Sequence, residues 1–120
     1  MFSRLLKIIK SGDRRKDRRV KTRIPAILDG IKGRIIDIGL GGIGFYPDMP
    51  GLKIGDEVMA TLRPDPLTEV KIPCRIVGSD TGAMVLCVIF LHMSEENFLI
   101  IQDIITHQAI GVGLSGRAIC

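Results

Sequence analysis

Tryptophan is absent from this 120-residue chain, and its aromatic side chains amount to one tyrosine and four phenylalanines. Single-strand nucleic-acid binding by stacked aromatic platforms therefore has no compositional support. Cysteine is scarce too: Cys74, Cys87 and Cys120 form an odd set at no metal-ligand spacing. Cys74 and Cys87 sit in apolar runs, where a thiol behaves as a small hydrophobe, so inert thiols in a reducing compartment are expected. No stretch reaches the roughly 18 consecutive apolar residues of a membrane span. The opening MFSRLLKIIK is interrupted by Arg4, Lys7 and Lys10 and lacks a small-residue cleavage site, so cytoplasmic residence is expected. Catalytic signatures are missing as well. There is no His-Glu-x-x-His, no Walker loop and no nucleophile beside a base, and His92 and His107 lie far apart without a carboxylate or cysteine at ligand spacing. Neither an enzyme nor a metal protein is expected.

What the chain does have is a lopsided charge. Residues 1–34 carry twelve Lys/Arg against three Asp, whereas residues 35–120 carry five against ten Asp/Glu. The basicity belongs to an N-terminal arm, and an anionic partner is expected there. Within that arm Phe2, Leu5, Leu6 and Ile9 recur at helical spacing, with Arg4, Lys7 and Lys10 on the other face. Ten residues are marginal as a lone helix, so residues 1–10 need a surface. A membrane is one such surface, giving peripheral contact at its inner face; the chain's own body or a second protomer is the other. Residues 11–23 are polar and charged, without an apolar period, and read as a mobile linker.

From Ile24 the pattern changes to strands. Runs at 24–29, 31–38, 42–46, 56–63, 69–78 and 83–91 are separated by turn chemistry at Asp29-Gly30, Pro47 to Gly55, Pro64-Asp65-Pro66 and Ser79 to Gly82. Val70, Ile72, Cys74 and Ile76 alternate with more polar neighbours, the period of a half-buried strand. The run 83–91 is apolar on both faces, so its outer face needs a cover. A helix capped by Ser94, with Glu95 and Glu96 in its first turn and a stripe of Phe98, Ile101, Ile104 and Ile105, is expected to supply it. Leu99 and Ile100 widen that arc, which suggests a homodimer contact through the helix. Six short strands and a terminal helix predict a mainly β protein, a six-stranded antiparallel barrel with a C-terminal α-helix and a basic arm. The expected organisation is a basic amphipathic segment at 1–13, the barrel with its helix at 14–108, and a tail at 109–120 with no legible period.

Two short segments carry the chemistry. Gly39-Leu40-Gly41-Gly42-Ile43-Gly44 matches the glycine fingerprint of dinucleotide-binding folds, but Phe45-Tyr46-Pro47-Asp48-Met49-Pro50 follows and cannot continue as the required helix. These glycines instead make a strand–turn–strand corner, with Asp37 at the end of the strand before it. The other segment is the arginine cluster Arg14 to Arg19. Guanidiniums grip phosphate and the O6/N7 edge of guanine, and a carboxylate accepts from guanine N1–H and N2–H. A solvated basic arm binding nucleic acid or anionic lipid without specificity is the alternative reading, marked by a steep salt dependence; no specific nucleic acid is expected.

In their order and spacing these residues resemble the PilZ domain. Arg14-Arg15, three residues, Arg19, then Ile24-Pro25-Ala26, then Asp37-Ile38-Gly39-Leu40-Gly41-Gly42 are similar to that family's R-x-x-x-R arm and D/N-x-S-x-x-G turn. Gly55-Asp56-Glu57-Val58 and Phe90 to Glu96 also resemble its fourth strand and its strand-to-helix junction. The resemblance covers roughly residues 14–106. It implies the barrel already expected, no cofactor, and a receptor for the bacterial second messenger cyclic di-GMP that signals to an effector protein. Carried over by position, the implied ligand residues are Arg14, Arg15, Arg19, Asp37, Gly39 and Gly42. Arg15 and Arg19 match the arm and Arg14 is the assisting neighbour, while ligand binding would order the arm on the barrel. Gly39 departs from the pattern by standing where the family has serine, which removes one hydroxyl. A neutral hydrogen bond is worth about 0.5–1.5 kcal/mol, so the loss is at most about tenfold in affinity. The alternative is a degenerate PilZ domain that binds no nucleotide and serves as a protein-interaction module.

Overall fold

The computed structural model describes residues 19–112 apart from Thr81 and Ala83, with side chains as far as His107. The expectations for residues 1–13, for Arg14 and Arg15, and for the end of the tail lie outside the described residues. Six strands follow one another: β1 (Val20–Leu28), β2 (Ile31–Ile38), β3 (Gly42–Pro47), β4 (Glu57–Asp65), β5 (Thr68–Asp80) and β6 (Val85–Phe90). They close into an antiparallel barrel in the order β1-β2-β3-β6-β5-β4, with β4 pairing back onto β1. Closure leaves no unpaired sheet edge to template aggregation.

Local chemistry explains the hairpins. Leu28 pairs with Ile31 across a two-residue turn in which Asp29 and Gly30 take φ of 49° and 85°. An Asp-Gly pair accepts such left-handed angles at little cost, and the turn's twist matches that of the strands. The Asp29 Oδ1 accepts from the Met59 N–H at 3.1 Å, which fastens this hairpin to β4. At the β4–β5 turn the Asp65 carboxylate accepts from the Leu67 N–H at 2.8 Å and the Thr68 hydroxyl at 2.9 Å. That local bonding tightens the turn to Pro66-Leu67, so Pro64 and Asp65 belong to β4 rather than to a loop. In β5 the alternation is as expected: Val70, Ile72, Cys74 and Ile76 are buried, and Glu69, Lys71 and Arg75 face out.

β1 begins at Val20, four residues before the expected start, so part of the segment read as a linker is strand. Its period is two, with Val20, Thr22, Ile24, Ala26 and Leu28 inside and Lys21 and Arg23 outside. The cationic outer residues hid the inner set within a basic run.

The helix α1 (Glu95–Val112) starts as expected, with the Ser94 Oγ accepting from the Asn97 N–H at 3.1 Å and the Ser94 carbonyl accepting from the Phe98 N–H at 2.9 Å. Its position differs from expectation. It packs on β1 and β5, not over the outer face of β6, and Asn97 Nδ2 donates to the Lys71 carbonyl at 3.1 Å. Ile101, Ile104 and Ile105 join the core formed by Ile24, Leu28, Ile35, Phe45, Leu62 and Ile72. Capping an existing core buries more of an isoleucine stripe than lying along a single strand would, which is why the helix goes there. The outer face of β6 keeps Ile89 exposed, and Leu91 just beyond it is exposed as well.

Cys74 is a buried free thiol whose pKa burial pushes up to about 12. Cys87 is disulfide-bonded, which corrects the expectation that it is an inert free thiol.

Candidate functional site

The site is built by an irregularity in β2. Ile35 pairs with Ile24 on one side and Phe45 on the other, and all three face the core. The next partners are Asp37 with Lys21 and Asp37 with Gly44, so Ile36 stands opposite two residues of β1 and has no counterpart of its own in β3. Ile38 then pairs with Val20 and Ile43, again in the core. Strict alternation would put positions 35 and 37 on one face and 38 on the other. The bulge at Ile36 changes the phase, and Asp37 emerges on the outer wall beside Lys21 and Gly44 while Ile38 returns to the interior. Thr22 repairs the backbone there. Its buried hydroxyl donates to the Ile35 carbonyl at 2.6 Å and accepts from the Ile24 N–H at 3.1 Å.

Arg19, one residue ahead of β1, lies over Asp37: a guanidinium Nη donates to the carboxylate Oδ1 at 2.7 Å, and the two side chains are 12% and 4% exposed. The Arg19 Nε is buried with no acceptor among the described residues. A charge-assisted contact this short is strong, and the leftover donor beside it is costly until something accepts from it.

Two glycines make the space. A β-carbon on Gly44 would stand 2.8 Å from the Asp37 Oδ1, so only glycine leaves that carboxylate where it is. A β-carbon on Gly42 would come within 2.1 Å of the Val88 carbonyl oxygen, so β3 and β6 approach too closely for any side chain. Between them and β2 the corner is closed by the Gly39 N–H donating to the Gly42 carbonyl at 2.9 Å, with Gly41 accepting from Phe90 at 3.0 Å.

Of the six residues the sequence pointed to, Arg19 and Asp37 are brought into contact, Gly39 and Gly42 form the adjoining corner, and Arg14 and Arg15 lie outside the described residues. Sequence reasoning missed Gly44, although it belonged to the glycine run, because its role depends on a neighbouring strand. It also missed the outer surface of β1–β3. Here Lys21, Thr22, Arg23, Arg34, Ile36 and Tyr46 line a cavity of about 420 Å³. Their signal was present as the cationic alternates of β1 and β2, but the register that assembles them was not. No group of three or more metal-ligating side chains occurs, and no helix is long and apolar enough to cross a membrane, both among the described residues.

Among curated proteins none matches the sequence significantly. Solved structures do share the fold. The Bacillus subtilis inhibitor of motility (MotI/DgrA) superposes with a TM-score of 0.69 at 11% identity, over 84% of this chain and 53% of that one. The PilZ domain of YcgR from Escherichia coli, with c-di-GMP, gives 0.65 at 16% identity, over 82% of this chain and 94% of that one. YcgR from the same organism in complex with c-di-GMP gives 0.66 at 17% identity, over 82% of this chain and 47% of that one. The chain thus spans about half of MotI and of YcgR but nearly all of the isolated YcgR domain. Most of the sequence, residues 13–107, matches the family model for the PilZ domain, and the chain belongs to that family.

Proposed function

We propose that this chain is a non-enzymatic receptor domain for cyclic di-GMP that passes the binding event to an effector protein. The observation that supports it best is the pairing of Arg19 and Asp37 on the outer wall, with a buried Arg19 Nε that has no acceptor among the described residues. A guanine offers the complement of this pair. Its N1–H and N2–H donate to a carboxylate, and its O6 and N7 accept from a guanidinium. In this reading Asp37 selects guanine over adenine, Arg19 holds the Hoogsteen edge, and Gly39 and Gly42 keep the corner open to the ligand. Arg14 and Arg15 reach the phosphates from the arm, and ordering of that arm is the output signal. The neighbours named for c-di-GMP, both from YcgR, agree with it.

Isothermal titration calorimetry of cyclic di-GMP into the chain tests the reading. Micromolar or tighter binding that Asp37→Asn and Arg15→Ala each remove is the expected outcome, and the heat per site gives the stoichiometry. The absence of serine at position 39 favours one rival, a PilZ barrel that has lost its ligand. That rival requires no binding by the natural chain and recovery in Gly39→Ser.

A further inference from the structure

The cationic cavity on β1–β3 has no role in the motif residues. Lys21, Arg23 and Arg34 are all exposed, and none makes an ion pair among the described residues. The other described strand cations outside this sheet, Arg63, Lys71 and Arg75, are each within 4 Å of a glutamate, at 3.1, 3.8 and 2.6 Å. Like charges left together without counter-charge repel one another, and an anion placed among them removes that repulsion. The cavity is not lined by cations alone: Ile36 and Tyr46 contribute apolar surface, with Arg34 opposite Tyr46 in the register. Cations beside an aromatic side chain suit a phosphorylated planar ring, and about 420 Å³ lies within the roughly 300–1,000 Å³ of small-molecule sites. The cavity also adjoins the Arg19–Asp37 pair, because Lys21 is the cross-strand partner of Asp37 and Ile36 is its chain neighbour.

We propose that this cavity is a second ligand subsite, which takes the distal purine–phosphate half of the same cyclic dinucleotide whose first guanine Asp37 and Arg19 hold. The inference rests on the receptor reading. Arg23 and Arg34 bind the distal phosphate, Lys21 bridges the two halves, and Tyr46 carries the purine.

Tyr46 is the sole tyrosine of the chain, so its ring resonances report on this cavity without ambiguity. The test follows them by NMR during a cyclic di-GMP titration, with calorimetry of the natural chain, Arg23→Gln/Arg34→Gln and Asp37→Asn. The expected result is that the Tyr46 ring shifts saturate at the calorimetric affinity, while the double variant binds about tenfold or more weakly and with a shallower salt dependence. Because both arginines point outward, the double variant should keep its fold, which its amide spectrum checks. If the natural chain binds and Asp37→Asn does not, yet Tyr46 stays unshifted and the double variant keeps full affinity, the subsite is overturned and the receptor reading stands. If the natural chain does not bind, both fall.

Discussion

The barrel has two charged walls that differ in how they are balanced. On β4–β5, Arg75 meets Glu57 at 2.6 Å, while Arg63 and Lys71 share Glu69 at 3.1 and 3.8 Å, so each of these cations has a carboxylate beside it. On β1–β3, Lys21, Arg23 and Arg34 make no ion pair among the described residues, and Asp37 is held by Arg19 from outside the sheet. Both walls draw on the same residue types, and each contains a register irregularity. The difference is where carboxylates fall in the register. An exposed, internally paired wall contributes little beyond solubility, whereas one that lacks its counter-charges stores a demand for an anion.

The most direct way to break the contrast is to give the cationic wall a charge of the opposite sign. Arg34→Glu, placed opposite Tyr46, should lower cyclic di-GMP affinity by more than about tenfold with folding stability within about 0.5 kcal/mol of the natural chain. Calorimetry together with chemical denaturation separates those two readouts. Next in size is the bulge itself. Thr22→Val keeps the shape but leaves the Ile35 carbonyl and the Ile24 N–H without the hydroxyl, which should cost about 1–3 kcal/mol in a denaturant titration and weaken binding through a misplaced Asp37. Gly39→Ser should sharpen the site by up to about tenfold in affinity, through one added hydroxyl. The control belongs on the balanced wall: Glu57→Gln should change stability by less than about 1 kcal/mol and leave the affinity unaltered.

A further outcome concerns the core beneath both walls. Burial raises the Cys74 thiol from 9.0 to about 12, so it remains protonated in the folded chain at pH values where an unfolded cysteine ionises. Stability therefore holds below about pH 9 and falls as the pH rises toward 12, because only the unfolded chain releases the proton there. A thiol-reactive dye at pH 8 should label Cys74 slowly until denaturant is added.

Much of the fold is legible in the residues because the physics that sets it is local. The period of Val70 to Ile76, the Asp29-Gly30 turn and the Ser94 cap each act within a few positions. What was not legible depends on partners distant in sequence. The start of β1 was obscured by Lys21 and Arg23, whose outward direction only the register with β2 reveals. The helix stripe announced which face would be buried but not what it would be buried against. The site divides in the same way. Asp37 and Arg19 were visible as chemistry, while Gly44 matters only because Asp37 faces it from the next strand, and the cationic cavity exists only once three strands are side by side.

The bulge at Ile36 makes β2 two strands of opposite phase joined end to end. Its first part is fixed by the core through Gly33 and Ile35, and its last residues turn Asp37 to the outer wall beneath Arg19 while Ile38 stays inside. Without the bulge, the same residues in strict alternation from Ile35 would turn the Asp37 carboxylate into the hydrocarbon interior and Ile38 out. Recognition in this barrel therefore hangs on the local register of β2 as much as on the aspartate itself.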